Sequence, residues 1–207
     1  MDYSTPSEQA ERLPQATATE AQGVLVEVLF ALLDRMEQGG VRVWVHGGWA
    51  IDALTGTSRS HKDIDLLADE KDRPWVREQF GHALIKETSH KLEFLFRGAS
   101  VEVTFFRRLW NGVLATVTPR IIVRWEPHVL AETRALLHGR SIPVVGIGAL
   151  YAEIANRVNK KSEMLEKNAR DLQRLKPLLT DTICRESGKY FPVPNTFWNR
   201  AKLFLGF

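Results

Sequence analysis

The 207-residue chain is 44% apolar and 26% charged, enough for one large domain or two small ones with real cores. Its net charge of +3 comes from basic residues scattered among acidic ones, so nucleic acid is permitted as a partner without being indicated. No apolar run approaches the roughly 18–20 residues that span a bilayer, the N-terminus is polar where a secretory signal needs an apolar centre, and the single cysteine, Cys184, excludes an internal disulfide, so a cytoplasmic protein without redox chemistry is expected.

Residues 1–20 are rich in Ser, Thr, Gln, Glu and Pro and predict a frayed start. Between Gly23 and Glu37, apolar residues at Leu25, Val28, Leu29, Leu32, Leu33 and Met36 recur with helical spacing, and Gly39-Gly40 supplies the stop. A short strand is expected over residues 41–46, a break at Gly47-Gly48, and a short helix from Trp49 to Thr55. After a polar loop, residues 63–68 alternate carboxylates with Ile64 and Leu66, as a strand with one functional face does. Residues 73–84 read as a helix, and residues 91–97 and 100–106 as an antiparallel pair joined at Arg97-Gly98-Ala99. On the second strand of that pair Glu102 and Thr104 share one face, and Val101, Val103 and Phe105 the other. Residues 113–117 and 121–125 add edge strands. Helices follow at 147–159 and 162–179, and then an aromatic tail (Tyr190, Phe191, Phe197, Trp198, Phe204) able to dock back on the body. The expected class is α/β (α+β): a mixed sheet flanked by helices over residues 21–140, then a helical C-terminal half over 141–207.

Two carboxylates at alternate positions of a strand lie on one side at a repeat of about 7 Å, and a neighbouring strand can add a third. Asp63, Asp65 and Glu102 form such a set. Carboxylate oxygens suit Mg²⁺, which leaves room in its shell for phosphates, so the pattern points to a metal-assisted phosphoryl or nucleotidyl transfer. Gly47 and Gly48, between a strand and a helix, allow backbone N–H groups to approach an anion and add the positive end of a helix dipole. Arg59 and Lys62 in the next loop contribute charge, and His61 a hydrogen bond or a packing contact. Singly, each feature has a plainer reading: a turn for the glycines, solvated strand residues for the acids, a hydrogen bond back to the loop for Asp52, core packing for Trp49. Their order along the chain favours the site.

The run HGGWAIDALTGTSRSHKDIDLL, from His46 to Leu67, resembles the signature of the lincosamide and aminoglycoside nucleotidyltransferases of the polymerase-beta-like superfamily. The resemblance implies a nucleotidyltransferase fold and transfer of a nucleoside monophosphate, AMP from ATP or the equivalent from another nucleoside triphosphate. It implies two Mg²⁺ ions, a hydroxyl on a small molecule such as an aminoglycoside or lincosamide antibiotic as acceptor, and pyrophosphate as product. Asp63, Asp65 and Glu102 take the catalytic and metal-binding positions, with Glu102 where the commoner residue is Asp. Gly47, Gly48, Arg59 and His61 fall on the nucleotide side. The later segment KNARDL resembles a Lys-bearing helix of the family and implies a triphosphate contact from Lys167, against which stands a simple i, i+4 pair with Asp171. Toxin-type relatives that act on RNA or protein share this core, and a non-catalytic nucleotide-binding protein is the remaining alternative.

Overall fold

The computed structural model describes residues 18–110, 113–125, 130, 133–158, 162–180 and 192–200. Helix α1 (Ala18–Gln38) begins earlier than the sequence pattern suggests, and it buries Val26, Leu29, Leu32, Leu33 and Met36 against the sheet. Strand β1 (Val43–Val45) is shorter than expected and fully buried. Helix α2 (Gly47–Thr55) starts at the glycine pair itself, so the expected break is the helix's first turn.

Strand β2 (Asp63–Asp69) is followed by α3 (Arg73–Phe80), β3 (Leu84–Glu87), β4 (Lys91–Phe96) and β5 (Ala99–Arg108). The helix expected over 73–84 therefore stops at Phe80, passes through a 3-10 turn at Gly81–Ala83, and gives way to a strand the sequence reading missed. Strands β4 and β5 form the expected hairpin, with Arg97 and Gly98 both at positive φ, 49° and 81°, as a two-residue turn matching strand twist requires.

Strands β2 and β5 are parallel neighbours, and β1 pairs antiparallel with the other side of β2. The far end of β5 carries β6 (Leu114–Val117), β7 (Ile121–Trp125) and β10 (Pro192–Pro194) in antiparallel order. The pair expected at the sheet edge is thus interior, because the C-terminal segment adds a strand to it. That segment docks through its backbone, while Phe197 and Trp198 stay exposed; Tyr190, Phe191, Phe204, Cys184 and residues 1–17 lie outside the described residues. Strands β8 (Arg134–Leu137) and β9 (Arg140–Pro143) make a separate hairpin, tied to α1 by the Arg140–Asp34 ion pair. Helices α4 (Ile147–Val158) and α5 (Ser162–Leu175) close the site side, and α5 ends just before a 3-10 turn containing Pro177. No described helix is long and apolar enough to cross a membrane.

Alternation along β2 and β5 decides which face does what. Ile64, Leu66, Val101, Val103 and Phe105 are buried, and the residues between them turn to the other side. One core runs from α1 through the sheet to Ala149, Leu150 and Leu175 of the last two helices. Phe94 of β4 is fully buried and stacks on Phe80 of α3, with ring centroids 4.5 Å apart. Phe94→Ala should cost about 3–5 kcal/mol of stability, measured by denaturant unfolding with unchanged m; a loss below 1 kcal/mol would show that the sheet collapses readily onto the gap.

Candidate active site

The glycine pair brings the end of β1 against β2. His46 donates its backbone N–H to the Asp65 carbonyl at 2.9 Å, and Gly47 adopts φ 61°, a left-handed value that disfavours any side chain. A Cβ on Gly47 would collide with Asp65 Oδ2, and one on Gly48 would collide with the Arg59 guanidinium and lie 2.7 Å from His61 Cε1. Both glycines are therefore needed for close approach. His46 makes no side-chain cap on α2, and the positive end of that helix opens onto the same space as the carboxylates.

Asp52, nearly fully buried on α2, organises the loop that follows. Its Oδ2 accepts the Arg59 backbone N–H at 3.0 Å and pairs with His61 Nε2 at 2.7 Å, and its Oδ1 accepts Arg174 Nη2 at 2.6 Å. The His61 ring stacks on Trp49 at 4.0 Å, and Trp49 Nε1 donates to the Asp63 carbonyl at 2.9 Å. From α5, Asp171 pairs with Arg59 at 3.5 Å and with Arg174 at 3.3 Å. Gln22 of α1 accepts the His61 backbone N–H at 3.1 Å. Burial raises the Asp52 carboxyl pKa, but the bonds from His61, Arg174 and the Arg59 backbone together outweigh it, leaving the group below its usual 3.8.

In the β2–β5 register Asp65 lies beside Glu102, and Asp63 beside Ser100. Asp63 is exposed, and Asp65 and Glu102 are half-buried. Glu102 Oε2 pairs with Lys91 Nζ of β4 at 2.5 Å, and Thr104 Oγ1 donates to Glu102 Oε1 at 3.4 Å. Asp63, Asp65, Glu102 and Thr104 line a cleft of about 390 Å³. The sheet and α2 supply Gly47, Gly48, Asp63, Asp65 and Glu102, α4 supplies Leu150, Glu153 and Ile154, and α5 supplies Lys167, Asn168 and Asp171. A larger hollow of about 470 Å³ between α1, β1 and the β8–β9 hairpin contains none of the predicted site residues, so chemistry selects the smaller one.

Of the predicted nucleotide-side residues, Gly47, Gly48, Arg59 and Lys167 line the cleft. The His61 side chain is only 3% exposed and sits behind the wall, between Asp52 and Trp49, where it backs Gly48 and Arg59. Asp171 is engaged by two arginines instead of by Lys167. His82, His90 and His138 form no metal cluster, and among the described residues no three His, Cys, Asp or Glu side chains converge as a ready ion cage. The donors at the cleft are nonetheless all carboxylate oxygens on adjacent strands, the chemistry that fits a Mg²⁺ ion sharing its shell with substrate. Asp63 and Asp65 fit that description directly, and Glu102 fits it with Lys91 already at its side.

Three groups escaped the sequence reading. Lys91 was recoverable, since a turn at Arg97-Gly98 fixes Lys91 opposite Thr104 and hence diagonal to Glu102. Arg174 lies three residues after Asp171 on the same helix face. Glu153, which meets His46 Nε2 at 2.5 Å across the cleft, gave no signal because its partner is 107 residues away.

Gly47→Ala should lower stability by about 1–2 kcal/mol through backbone strain and displace Asp65, read by thermal unfolding; wild-type stability would mean the turn relaxes freely. Asp52→Asn should destabilise by about 3 kcal/mol or more, because it leaves the largely buried Arg174 guanidinium without its charged partner. The sign with pH follows from the lowered carboxyl: its contribution is complete above the usual 3.8 and disappears as pH falls through the lower folded value. The stability gap between wild type and Asp52→Asn should thus be flat above about pH 5 and narrow below about pH 4; a gap that widens in acid would contradict the network.

The model of the aminoglycoside-2''-adenylyltransferase family matches residues 28–175. Over 76 residues the chain is 32% identical to a lincosamide resistance protein of Staphylococcus haemolyticus, a match spanning 36% of this chain and 44% of that protein, so less than half of the relative's length is covered. Among solved structures, the lincosamide antibiotic adenylyltransferase LnuA with lincomycin bound is similar with a TM-score of 0.61 at 19% identity, covering 74% of this chain and 97% of that one. ANT(2'')-Ia in complex with adenylyl-2''-tobramycin gives a TM-score of 0.58 at 13% identity, over 81% and 95% of the two chains. At such identities these two likenesses speak for the fold.

Proposed function

The chain belongs to the aminoglycoside-2''-adenylyltransferase family, and on that footing we propose that it moves AMP from ATP to a hydroxyl of a small molecule such as an aminoglycoside or lincosamide antibiotic, releasing pyrophosphate. One observation carries the reading: a glycine pair opening a helix and three carboxylates on adjacent parallel strands line one cleft. The expected setting is the cytoplasm.

Asp63 and Asp65, with Glu102, would hold Mg²⁺, which when bound neutralises the charge on the phosphates. Gly47 and Gly48 let backbone N–H groups meet the triphosphate, and Arg59 and Lys167 add cations on the α5 side. The acceptor hydroxyl oxygen forms the new bond to the α-phosphorus as the bond to the β-phosphate bridging oxygen breaks. Glu102 would take the hydroxyl proton or complete the metal-binding set, and the contacts of Lys91 and Thr104 with its carboxylate support either task.

The acceptor side favours a small molecule over a nucleic acid. Trp125, Val123, Leu150 and Ile154 provide apolar surface, and Glu153 adds negative charge to that of the three acids. The apolar and acidic lining on this side suits an amphiphilic or cationic acceptor, whereas a polyanionic acceptor would meet Glu153 and the three acids.

Asp63→Asn and Asp65→Asn should each abolish transfer and leave the fold intact, since neither side chain is in the core. Glu102→Gln should cut the single-turnover rate by on the order of 10² or more while ATP affinity with Mg²⁺ largely survives. Near-normal transfer in the Glu102 variant would make it a solvated strand residue, and wild-type turnover in either Asp variant would sink the metal assignment.

A further inference from the structure

The cleft holds about 390 Å³, near the lower end of the roughly 300–1,000 Å³ that a single drug-sized ligand takes. Transfer needs the nucleotide and the acceptor in place together, so one of them must extend past the rim. The nucleotide side is bounded by α5 and the Arg59 loop, tied to each other at Asp52 and Asp171. The acceptor side instead continues across the sheet. Its wall is the face of β6 and β7 that carries Thr116, Val123 and Trp125, with Thr118 at the turn. Thr116 lies opposite Val123, and the Thr118 N–H donates to the Ile121 carbonyl at 2.9 Å, so Ile121, two residues before Val123, shares the cleft face. Ile122 takes the opposite face, fully buried with Ala115 in a separate small core. Ile121 in turn pairs with Pro194 of β10, and both are exposed.

Beyond Pro194 the chain turns back on itself. Asn195 donates to the Thr118 carbonyl of the cleft wall, and Thr196 and Asn199 both donate to the Pro194 carbonyl. The turn holds Phe197 and Trp198 at this end of the sheet, edge to face with centroids 5.7 Å apart and 77% and 72% exposed. Two large rings left in water beside an apolar strip have the make-up of a binding surface, since rings offer broad contact area at little conformational entropy. The segment from β10 onward lies outside residues 28–175, the span that matches the family. We propose that Ile121, Pro194, Phe197 and Trp198 form an outer subsite for the acceptor, receiving the apolar part of an amphiphilic molecule whose hydroxyl end reaches the carboxylates. This rests on the nucleotidyltransferase reading and narrows its acceptor. A molecule with an apolar substituent, such as lincomycin with its alkylated ring, is preferred to a polyamine such as tobramycin, which carries cationic groups along its whole length.

The test is steady-state transfer by the full chain from ATP with Mg²⁺ to each antibiotic, with molecular mass followed by light scattering. In Trp198→Ser the KM for lincomycin should rise about tenfold, the scale of losing an aromatic anchor, while kcat and the KM for ATP stay within about twofold. The Tm should hold, because the ring is exposed. Trp198→Phe, which keeps a ring, should recover most of the loss. Ile121→Thr, which keeps the β-branch of the strand, should raise the same KM, and in every variant the KM for tobramycin should stay within about twofold. A lincomycin KM unchanged in both Trp198→Ser and Ile121→Thr, an equal rise for the two antibiotics, or tobramycin as the better acceptor of the wild type overturns the subsite. A KM rise accompanied by a fall in molecular mass overturns it too, assigning the aromatic pair to contact between copies of the chain. Wild-type protein that transfers AMP to neither antibiotic overturns the proposed function and the subsite with it, a failure distinct from a wild type that transfers and variants that match it.

Discussion

The buried carboxylate of Asp52 joins its own helix and the loop after it to α5, which sequence keeps far away. It holds the loop at residues 57–62 through the Arg59 backbone and His61, and it reaches α5 through Arg174, 122 residues away. A charge at such depth is tolerated only when nearly every lone pair is satisfied, and here each oxygen has a strong donor. The consequence is positional. The loop that delivers Arg59 to the cleft and leads into Asp63 is fixed from both sides, and α5 cannot shift without opening the pairs at Asp52 and Asp171. The two helices α2 and α5 and the loop therefore behave as one support for the cleft.

The second constraint is steric. A parallel β2–β5 pair requires a crossover, which α3, β3 and β4 provide, and that connection sets Asp65 and Glu102 side by side. The space in front of them stays open because Gly47 and Gly48 have no Cβ. Any side chain there would fill the volume that Asp65, Arg59 and His61 border. The carboxylates and the positive end of α2 consequently face a common cavity, where attraction for a polyphosphate does not have to be built from long flexible side chains alone.

Much of this was legible because it is local. Alternation along β2 and β5 named the carboxylate face, and the Arg97-Gly98 turn named the hairpin. The same turn chemistry recurs at His138-Gly139, with φ values of 46° and 80°, yet the β8–β9 hairpin went unread because its flanks, RALL and RSIP, lack a clear alternating pattern. Strand β3 was absorbed into the preceding helix for a similar reason: LIKE has no run of β-branched residues, and three of its four side chains are exposed. Strand β10 depends on pairing with β7, which no window around Pro192–Pro194 contains. The long-range members of the site, Glu153 and Arg174, belong to the same class. Asp52 was readable as a hydrogen-bonding group toward its own loop, but its bond to Arg174 was not. His61 shows the limit of motif reading, since its position in the signature suggested the nucleotide, while its ring supports the wall behind it.

The central claim is that this cleft transfers a nucleoside monophosphate to a small hydroxyl-bearing molecule, and following the label tests it most directly. The full chain would be incubated with Mg²⁺ and ATP labelled at either the α- or the γ-phosphorus, with tobramycin, lincomycin and transfer RNA offered separately. The account predicts that α-label becomes attached to one of the two antibiotics and that γ-label leaves as pyrophosphate. Label from the γ-position on the acceptor, α-label on transfer RNA alone, or no transfer to any of the three would contradict it.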